Sequence, residues 1–296
     1  MQANALRADL LMLLTALIWG SGFVAQTAGM EHIGPFLYSG LRFALGALCL
    51  LPLLCWSLRQ RPNPAPASSG HWRAGTAMGL ALAVGINLQQ FGLQFTTVTN
   101  AGFITGLYVI VVPVVGLFLG HRTGAGTWLG AAMAVVGMYL LSVNEHFQVA
   151  PGDWLQLAGA FVWAGHVLLV GQFARHHNVV QLACIQFLVC ALFSLALALA
   201  FEPLAADAIL AALPAVAYGG MVAAALGYTL QVVAQRHAIA SHAAIIFSLE
   251  AVFAAMAATL LLGEVLTPRG YLGCAVMLAG MLTAQLWPSR ARAAIA

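Results

Sequence analysis

The sequence has very little charge and no lysine. Of its 296 residues, 6% are charged and 62% are hydrophobic, whereas a soluble domain is roughly 25% charged and about 45–50% apolar. All 11 basic residues are arginines, and with 8 acids they give a formal charge of +3. Such sparse cations exclude a nucleic-acid-binding face, and the composition excludes a soluble enzyme and a disordered regulator. It indicates a polytopic membrane protein.

Motifs of enzymatic and metal chemistry are also missing. The five cysteines lie in apolar stretches without CxxC or Cys/His spacing, and we interpret them as small buried hydrophobic residues: Cys49, Cys55, Cys184, Cys190 and Cys274. No Walker sequence, HExxH or GxSxG occurs. We therefore predict neither ATP-driven transport nor enzymatic chemistry, and we expect no metal and no cofactor.

Uncharged windows long enough to cross a bilayer recur along the chain. A hydrocarbon core about 30 Å thick needs about 20 residues of helix. The 48-residue window 74–121 holds two spans, divided by the polar segment 96–100, with Asn100 as the expected N-cap. We predict an all-α membrane protein with ten transmembrane helices: 10–30, 35–56, two within 74–121, 126–143, 154–174, 179–201, 208–235, 242–263 and 270–287.

The arginines predict the orientation, because cytoplasmic loops retain positive charge. With the N-terminus inside, nine of the 11 arginines are cytoplasmic, Arg42 lies within the membrane and Arg269 lies outside. Six of the 8 acids then lie outside. Both termini are therefore predicted to be cytoplasmic.

The two halves of the chain resemble each other. At an offset of 144 residues, 9–19 aligns with 153–163, and at an offset of 143, 129–138 aligns with 272–281. We divide the chain into repeats 1–148 and 149–296. Because five helices is an odd number, the second repeat must be inverted, which is typical of secondary transporters. A cleaved signal peptide is the alternative for the first segment, and the repeat argues against it.

Four short motifs lie in or next to the predicted helices: Trp19-Gly20-Ser21-Gly22-Phe23, Leu41-Arg42-Phe43, Ser248-Leu249-Glu250 and Leu262-Gly263-Glu264, the last followed by a helix with Gly273 and Gly280. These motifs resemble the EamA domains of the drug/metabolite transporter superfamily. The resemblance covers essentially the whole chain as two repeats. It implies a transporter of the inner membrane, most commonly an exporter of amino acids or related metabolites. In the first repeat the acid corresponding to Glu250 is replaced, with Tyr108 and Pro113 nearby.

Two charges are predicted inside the bilayer. Arg42 lies roughly 10 Å along the second helix and Glu250 roughly 12 Å along the ninth. Each costs about 2.5–3.5 kcal/mol to insert, so each is a functional candidate. One interpretation is a structural pair, or capping of backbone carbonyls. The other is that Arg42 attracts a substrate carboxylate while Glu250 accepts an ammonium group or a proton.

Aromatic and imidazole side chains are the next candidates. Trp19 and Trp163 each follow an aspartate by ten residues, which places them about 15 Å into the membrane, near its middle. They either pack the repeats together or form an aromatic wall against the substrate. His166, three residues after Trp163, is either a hydrogen-bonded packing group or a proton relay.

Amide side chains complete the set. Asn87, Gln90 and Gln94 form one helical stripe, which either joins helices by hydrogen bonds or lines a cavity. Three GxxxG pairs, beginning at 102, 116 and 126, are interpreted as packing within a monomer. The candidate substrate-binding or gating residues are Trp19, Phe23, Tyr38, Arg42, Asn87, Gln90, Gln94, Tyr108, Trp163, His166, Tyr228, Gln231 and Glu250.

Two classes of function fit these features. The favoured one is a secondary transporter that moves a small molecule across the bilayer by alternating access. The other is an intramembrane enzyme or lipid-modifying protein that uses His166 and Glu250. Substrate identity and energy coupling stay open, the latter between proton exchange and facilitated diffusion.

Overall fold

A computed structural model describes residues 2–59, 69–120, 123–142 and 150–287. The predicted cytoplasmic arginines at 61, 122, 290 and 292 lie outside these ranges. In order, the helices are α1 (Gln2–Met30), α2 (Pro35–Arg59), α3 (Ser69–Gly92), α4 (Val98–Gly106), α5 (Tyr108–Phe118), α6 (Ala125–Ser142), α7 (Pro151–Phe173), α8 (Val179–Phe201), α9 (Ala206–Ala217), α10 (Thr229–Gln235), α11 (Ala240–Phe247), α12 (Glu250–Leu261) and α13 (Pro268–Leu286). A 3-10 turn (Leu93–Phe95) follows α3, and a π-helix (Tyr218–Tyr228) joins α9 to α10.

Eight helical stretches are long and apolar enough to cross a membrane. They are Leu6–Met30, Pro35–Arg59, Gly70–Phe95, Val98–Phe118, Pro151–Phe173, Val179–Phe201, Ala206–Gln235 and Ala240–Leu261. Within the described ranges the chain has no β-strand. An all-helical, multi-pass membrane protein is thereby confirmed. The other two predicted spans correspond to the shorter helices α6 and α13, of 18 and 19 residues.

Large apolar side chains cover the outside of the bundle. Leu199, Leu260 and Phe118 are examples of exposed residues in the middle or at the end of apolar helices. A surface of this kind suits lipid, since large exposed apolar patches are rare on soluble monomers. The prediction that all five cysteines are buried is wrong for Cys49 and Cys55, which lie on an exposed apolar face of α2.

Small residues let the helices approach closely. α6 packs along α13, where a Cβ added to Gly130 would lie 2.7 Å from the Gly280 carbonyl oxygen. Gly102 contacts the backbone of α12, and Gly106 contacts Met138 of α6. These glycines of the GxxxG pairs therefore serve contacts within one chain.

Polar contacts tie the two halves together at one end of the bundle, which we call the Glu202 end. Both Glu202 carboxylate oxygens accept hydrogen bonds from the first turn of α2, from the N–H groups of Phe36 (2.8 Å) and Leu37 (2.7 Å). Asp153, at the start of α7, accepts a hydrogen bond from the Thr96 hydroxyl at 2.6 Å. Each contact joins residues that belong to different halves of the chain.

A second set of contacts lies at the other end of the bundle, the Asp9 end. α1 leads from this end to the Glu202 end, and α2 leads back. Here Oδ1 of Asp9 in α1 accepts a hydrogen bond from Nε2 of His242 in α11 at 2.9 Å. The Asn178 side chain donates to the Ser57 hydroxyl at 3.2 Å. Polar contacts thus join the two halves at both ends of the bundle. The residues between these two ends enclose a central cavity.

Candidate functional site

A cavity lies between the two halves of the chain and is lined by residues of both. Its wall contains eight of the residues that the sequence singles out: Trp19, Phe23, Arg42, Tyr108, Trp163, Tyr228, Gln231 and Glu250. Small-molecule sites are commonly concave, largely apolar and supplied with a few polar groups. The composition of this wall has that character.

Aromatic rings form one continuous wall of the cavity, centred on Tyr228. The ring centroid of Tyr228 lies 4.6 Å from that of Trp19 and 6.3 Å from that of Trp163, the latter nearly parallel. Phe43 and Phe187 contact Tyr228 from outside the cavity, at 5.7 and 6.2 Å. Because each ring limits the rotation of the next, the wall is preorganised to pack against an apolar group.

Each of the two tryptophans rests on a glycine from the other half of the chain. A Cβ on Gly227 would lie 2.8 Å from Nε1 of Trp19, and a Cβ on Gly85 would lie 3.2 Å from Cε2 of Trp163. Any larger side chain would push the ring toward the cavity. These close approaches explain how two large rings fit where the halves meet.

Arg42 is a buried cation without an acid beside it. Only 3% of the residue is exposed, and its Nε and Nη2 atoms have no hydrogen-bond partner. Among the residues that the structure describes, no arginine nitrogen lies within 4.0 Å of a carboxylate oxygen, so Arg42 does not pair with Glu250. The guanidinium lies over the rings of Tyr38 and Phe43, at 5.3 and 5.1 Å. Such ring contacts stabilise the charge but leave its donors free.

Glu250 occupies a break in the ninth predicted span. It is the first residue of α12, after α11 ends at Phe247, and its Oε1 accepts a hydrogen bond from the Tyr108 hydroxyl at 3.1 Å. Tyr108 likewise begins α5, after α4 ends at Gly106. The two residues are 142 positions apart and start equivalent half-helices. Discontinuous helices of this kind are used for binding sites in transporters.

Four amide and tyrosine candidates lie outside the cavity wall. Tyr38 supports Arg42 and donates its hydroxyl to a backbone carbonyl of α9. Asn87 donates to Ser194 of α8 at 2.7 Å, and Gln90 donates to a backbone carbonyl of α1 at 3.4 Å. Gln94 is exposed in the 3-10 turn, because α3 ends at Gly92 and the stripe ends with it.

His166 also lies just outside the wall. It is fully buried, its Nε2 lies 3.0 Å from Oε1 of Gln186, and its ring meets Trp163 and Tyr228 edge-on. Its place behind the wall separates it from Glu250, whose hydrogen-bond partner is Tyr108.

Four residues of the wall were not singled out from the sequence: Gln26, Ile86, Val167 and Ala223. Gln26 is the most informative, because its buried Oε1 has no hydrogen-bond partner. Helical spacing could have found it, since positions 19, 22, 23 and 26 recur at three and four residues. The amide of Gln231 and the Nε1 atom of Trp163 are also buried and without partners. Unpartnered donors and acceptors thus converge on the cavity.

Comparison with known proteins identifies the family. The model of the EamA-like transporter family matches residues 6–143 and again 150–284. The chain belongs to this family. Its members are transporters, and the resemblance inferred from the short motifs is confirmed. Membership of a transporter family decides between the two predicted classes of function, in favour of the transporter and against the intramembrane enzyme.

Relatives and a solved structure agree with this membership. An uncharacterized transporter of Archaeoglobus fulgidus is 32% identical over 286 residues, which cover 95% of this chain and 86% of the relative. A probable terminal-alkyne amino-acid exporter of Streptantibioticus cattleyicolor is 26% identical over 92% of this chain and 91% of its own length. A crystal structure with 19% identity has the same fold, with a TM-score of 0.76 over 95% of this chain and 99% of the other.

Proposed function

We propose that this EamA-like transporter exports a small amphipathic metabolite, an amino acid or a close relative, across the inner membrane by alternating access. The observation that carries the proposal is the buried, unpartnered Arg42 in the wall of the central cavity. An unpaired buried charge is costly unless a counter-charge arrives. A substrate carboxylate is a suitable counter-charge, and an arginine binds it with two parallel hydrogen bonds.

The rest of the wall fits the rest of an amino acid. Glu250 has one hydrogen bond, from Tyr108, and its carboxyl group suits a substrate ammonium group or a proton. The aromatic wall around Tyr228 suits an apolar side chain. The unpartnered Oε1 of Gln26 and the unpartnered amide of Gln231 provide additional hydrogen bonds. The name of the Streptantibioticus cattleyicolor relative, an amino-acid exporter, supports the same class of substrate.

We further propose ten crossings in two inverted repeats, 1–148 and 149–296, with both termini cytoplasmic. The pairing of helices supports this arrangement, because exchanging the repeats converts the most extensive helix contacts into one another. α2 packs on its counterpart α8, and α6 packs on its counterpart α13. The contact of α1 with α12 corresponds to that of α7 with α5, and the contact of α1 with α10 corresponds to that of α7 with α3.

The broken helices support the repeat independently. α5 and α12 start 142 positions apart, and each is followed by a glycine with positive φ, Gly120 at 79° and Gly263 at 71°. Two halves related in this way can rock about a site at their interface, which is the basis of alternating access. The polar contacts at the Glu202 end and at the Asp9 end would then open alternately.

Transport in proteoliposomes tests the proposal. Purified protein should exchange internal unlabelled L-tryptophan or L-leucine for the labelled amino acid outside, and Arg42→Ala should reduce this exchange about 100-fold, the loss expected for an unpaired buried charge. Arg269→Ala is the matched control, because Arg269 also lies over an aromatic ring, that of Tyr139 at 5.1 Å, but is not part of the cavity wall. Vesicles that exchange no amino acid under any gradient would contradict the proposal.

A further inference from the structure

A buried polar pair stands directly behind the aromatic wall. His166 of α7 and Gln186 of α8 are both fully buried, and the distance from Nε2 to Oε1 is 3.0 Å. With the Gln186 carbonyl as acceptor, Nε2 of His166 carries the proton and Nδ1 is left as a buried acceptor without a partner. A polar pair in this position costs desolvation energy that two apolar residues would avoid. Its presence therefore calls for a role beyond packing.

The imidazole ring touches two residues of the wall at once. Its centroid lies 5.8 Å from that of Trp163, at an interplanar angle of 89°, and 6.1 Å from that of Tyr228, at 84°. Trp163 and Tyr228 are themselves nearly parallel and both line the cavity. The hydrogen bond that His166 donates to Gln186 fixes the plane of the imidazole. The plane of the imidazole in turn limits the orientation of both rings.

The corresponding place in the first half is built differently. At the offset of 144 residues, His166 corresponds to Gly22 and Gln186 corresponds to Arg42. Gly22 and Arg42 both line the cavity, whereas His166 and Gln186 do not. In the first half, these positions hold the unpaired guanidinium of Arg42 and a glycine, Gly22, which has no side chain. In the second half, the corresponding positions hold the neutral, hydrogen-bonded pair of Gln186 and His166, and His166 contacts the rings of the wall.

From these contacts we propose that His166 and Gln186 are positioning residues that set the selectivity of the cavity for the substrate's side chain. They hold Trp163 and Tyr228 in the nearly parallel arrangement that accepts a flat aromatic group. The inference rests on the proposed amino-acid transport. It assigns the discrimination between aromatic and aliphatic substrates to a pair that does not touch the substrate.

Selectivity of transport is the first test. His166→Leu removes both the ring and the hydrogen bond, whereas Gln186→Leu removes only the hydrogen bond and leaves the ring in place. Each should raise the KM for L-tryptophan relative to that for L-leucine about 5-fold, with kcat for L-leucine little changed. Because the pair acts as a unit, the double variant should show the shift of one single variant. Unchanged KM ratios in both single variants would overturn the proposal.

Ser194→Ala is the matched control. It removes another buried hydrogen bond of α8, that from Asn87, without touching the aromatic wall. This variant should lower the melting temperature in detergent and leave the KM ratio unchanged. A KM ratio that shifts equally in Ser194→Ala would assign the effect to general loosening of α8 and overturn the positioning role.

A second measurement needs no transport. The difference between the tryptophan emission of the intact chain and that of Trp163→Phe isolates Trp163. The same difference taken in the Gln186→Leu background should have a shifted maximum, because the ring is no longer held. If the wild type transports nothing but this shift occurs, the proposed function fails while the positioning role stands. If the emission difference is unaltered in the Gln186→Leu background, the positioning role fails.

Discussion

The two halves of the chain supply matching aromatic residues to the cavity but different charges. Trp19 and Trp163 occupy corresponding positions and pack on corresponding glycines. By contrast, Arg42 corresponds to the neutral Gln186, and Glu250 corresponds to Tyr108. The matching tryptophans thus border a cavity whose charged groups are unevenly distributed. Its cation, Arg42, comes from the first half and its acid, Glu250, comes from the second. We propose that this difference in charge orients the substrate in the cavity.

The largest effect should come from giving Arg42 the amide side chain that occupies the corresponding position, 186, in the second half. Arg42→Gln keeps a polar side chain but removes the cation, and we expect transport of L-tryptophan to fall about 100-fold in kcat/KM. Uptake of tryptamine, which has no carboxylate, should fall far less. Competition between the two compounds in proteoliposomes measures the difference. Equal losses for both compounds would contradict the role of Arg42 as the carboxylate site.

A smaller effect should come from the acid and its hydroxyl partner. Glu250→Gln removes the carboxyl group that we propose binds a substrate ammonium group or a proton, and we expect transport to fall about 10-fold. Tyr108→Phe removes only the hydrogen bond to Glu250, and the expected loss is about 3-fold. Initial rates at saturating substrate compare the two variants. A greater loss for Tyr108→Phe than for Glu250→Gln would reverse our assignment of their roles.

The next prediction concerns packing of the two halves rather than transport. A Cβ on Gly20 would lie 2.5 Å from Cβ of Phe253 and 2.7 Å from the Glu250 carbonyl oxygen, whereas the corresponding residue of the second half is already an alanine, Ala164. Gly20→Ala should therefore destabilise the fold by about 1–3 kcal/mol through overpacking. Ala164→Gly should cost less than about 1 kcal/mol. Thermal unfolding in detergent compares them, and similar values would show that α1 can shift away from α12.

The smallest effects are expected at the ends of the bundle. Asp153 is buried and accepts two hydrogen bonds, from Thr96 at 2.6 Å and from the Ala150 N–H at 2.8 Å, whereas Asp9 is partly exposed and accepts one, from His242. Asp153→Ala should cost about 1–2 kcal/mol, since it removes a helix cap as well as a contact between the halves. Asp9→Ala should cost about 0.5–1 kcal/mol. An Asp9→Ala variant with the lower melting temperature would invert this order.

The spans could be predicted from the sequence because the bilayer imposes them. A charge within the hydrocarbon is so unfavourable that Arg42 and Glu250 stand out in otherwise uncharged windows, and both line the cavity. The tryptophans were found through the repeat rather than through hydropathy. The cost of a charge in hydrocarbon and the spacing of the repeat do not depend on which way a side chain faces. These residues can therefore be found without knowing the helix ends or the tertiary contacts.

The position of each side chain around the helix axis was harder to predict. Gln94 continues the spacing of Asn87 and Gln90, but α3 ends before it and the 3-10 turn directs it outward. Gln26 was missed although it follows Trp19 by two helical turns. Gln186 carries no local signal, as a single amide in an apolar helix, and only its correspondence with Arg42 marks it. Helix ends and tertiary partners decide these positions, and a single sequence contains little information about either.

The Glu202 carboxylate affects the position of Arg42 although the two residues are not in contact. It holds the first turn of α2 through two backbone N–H groups, and Arg42 follows in the same helix, five residues after Leu37. At 1.5 Å per residue, this separation is about 7.5 Å along the axis. An acid from the opposite half of the chain therefore fixes the position of the first turn of α2, and with it the depth at which the Arg42 guanidinium meets the cavity.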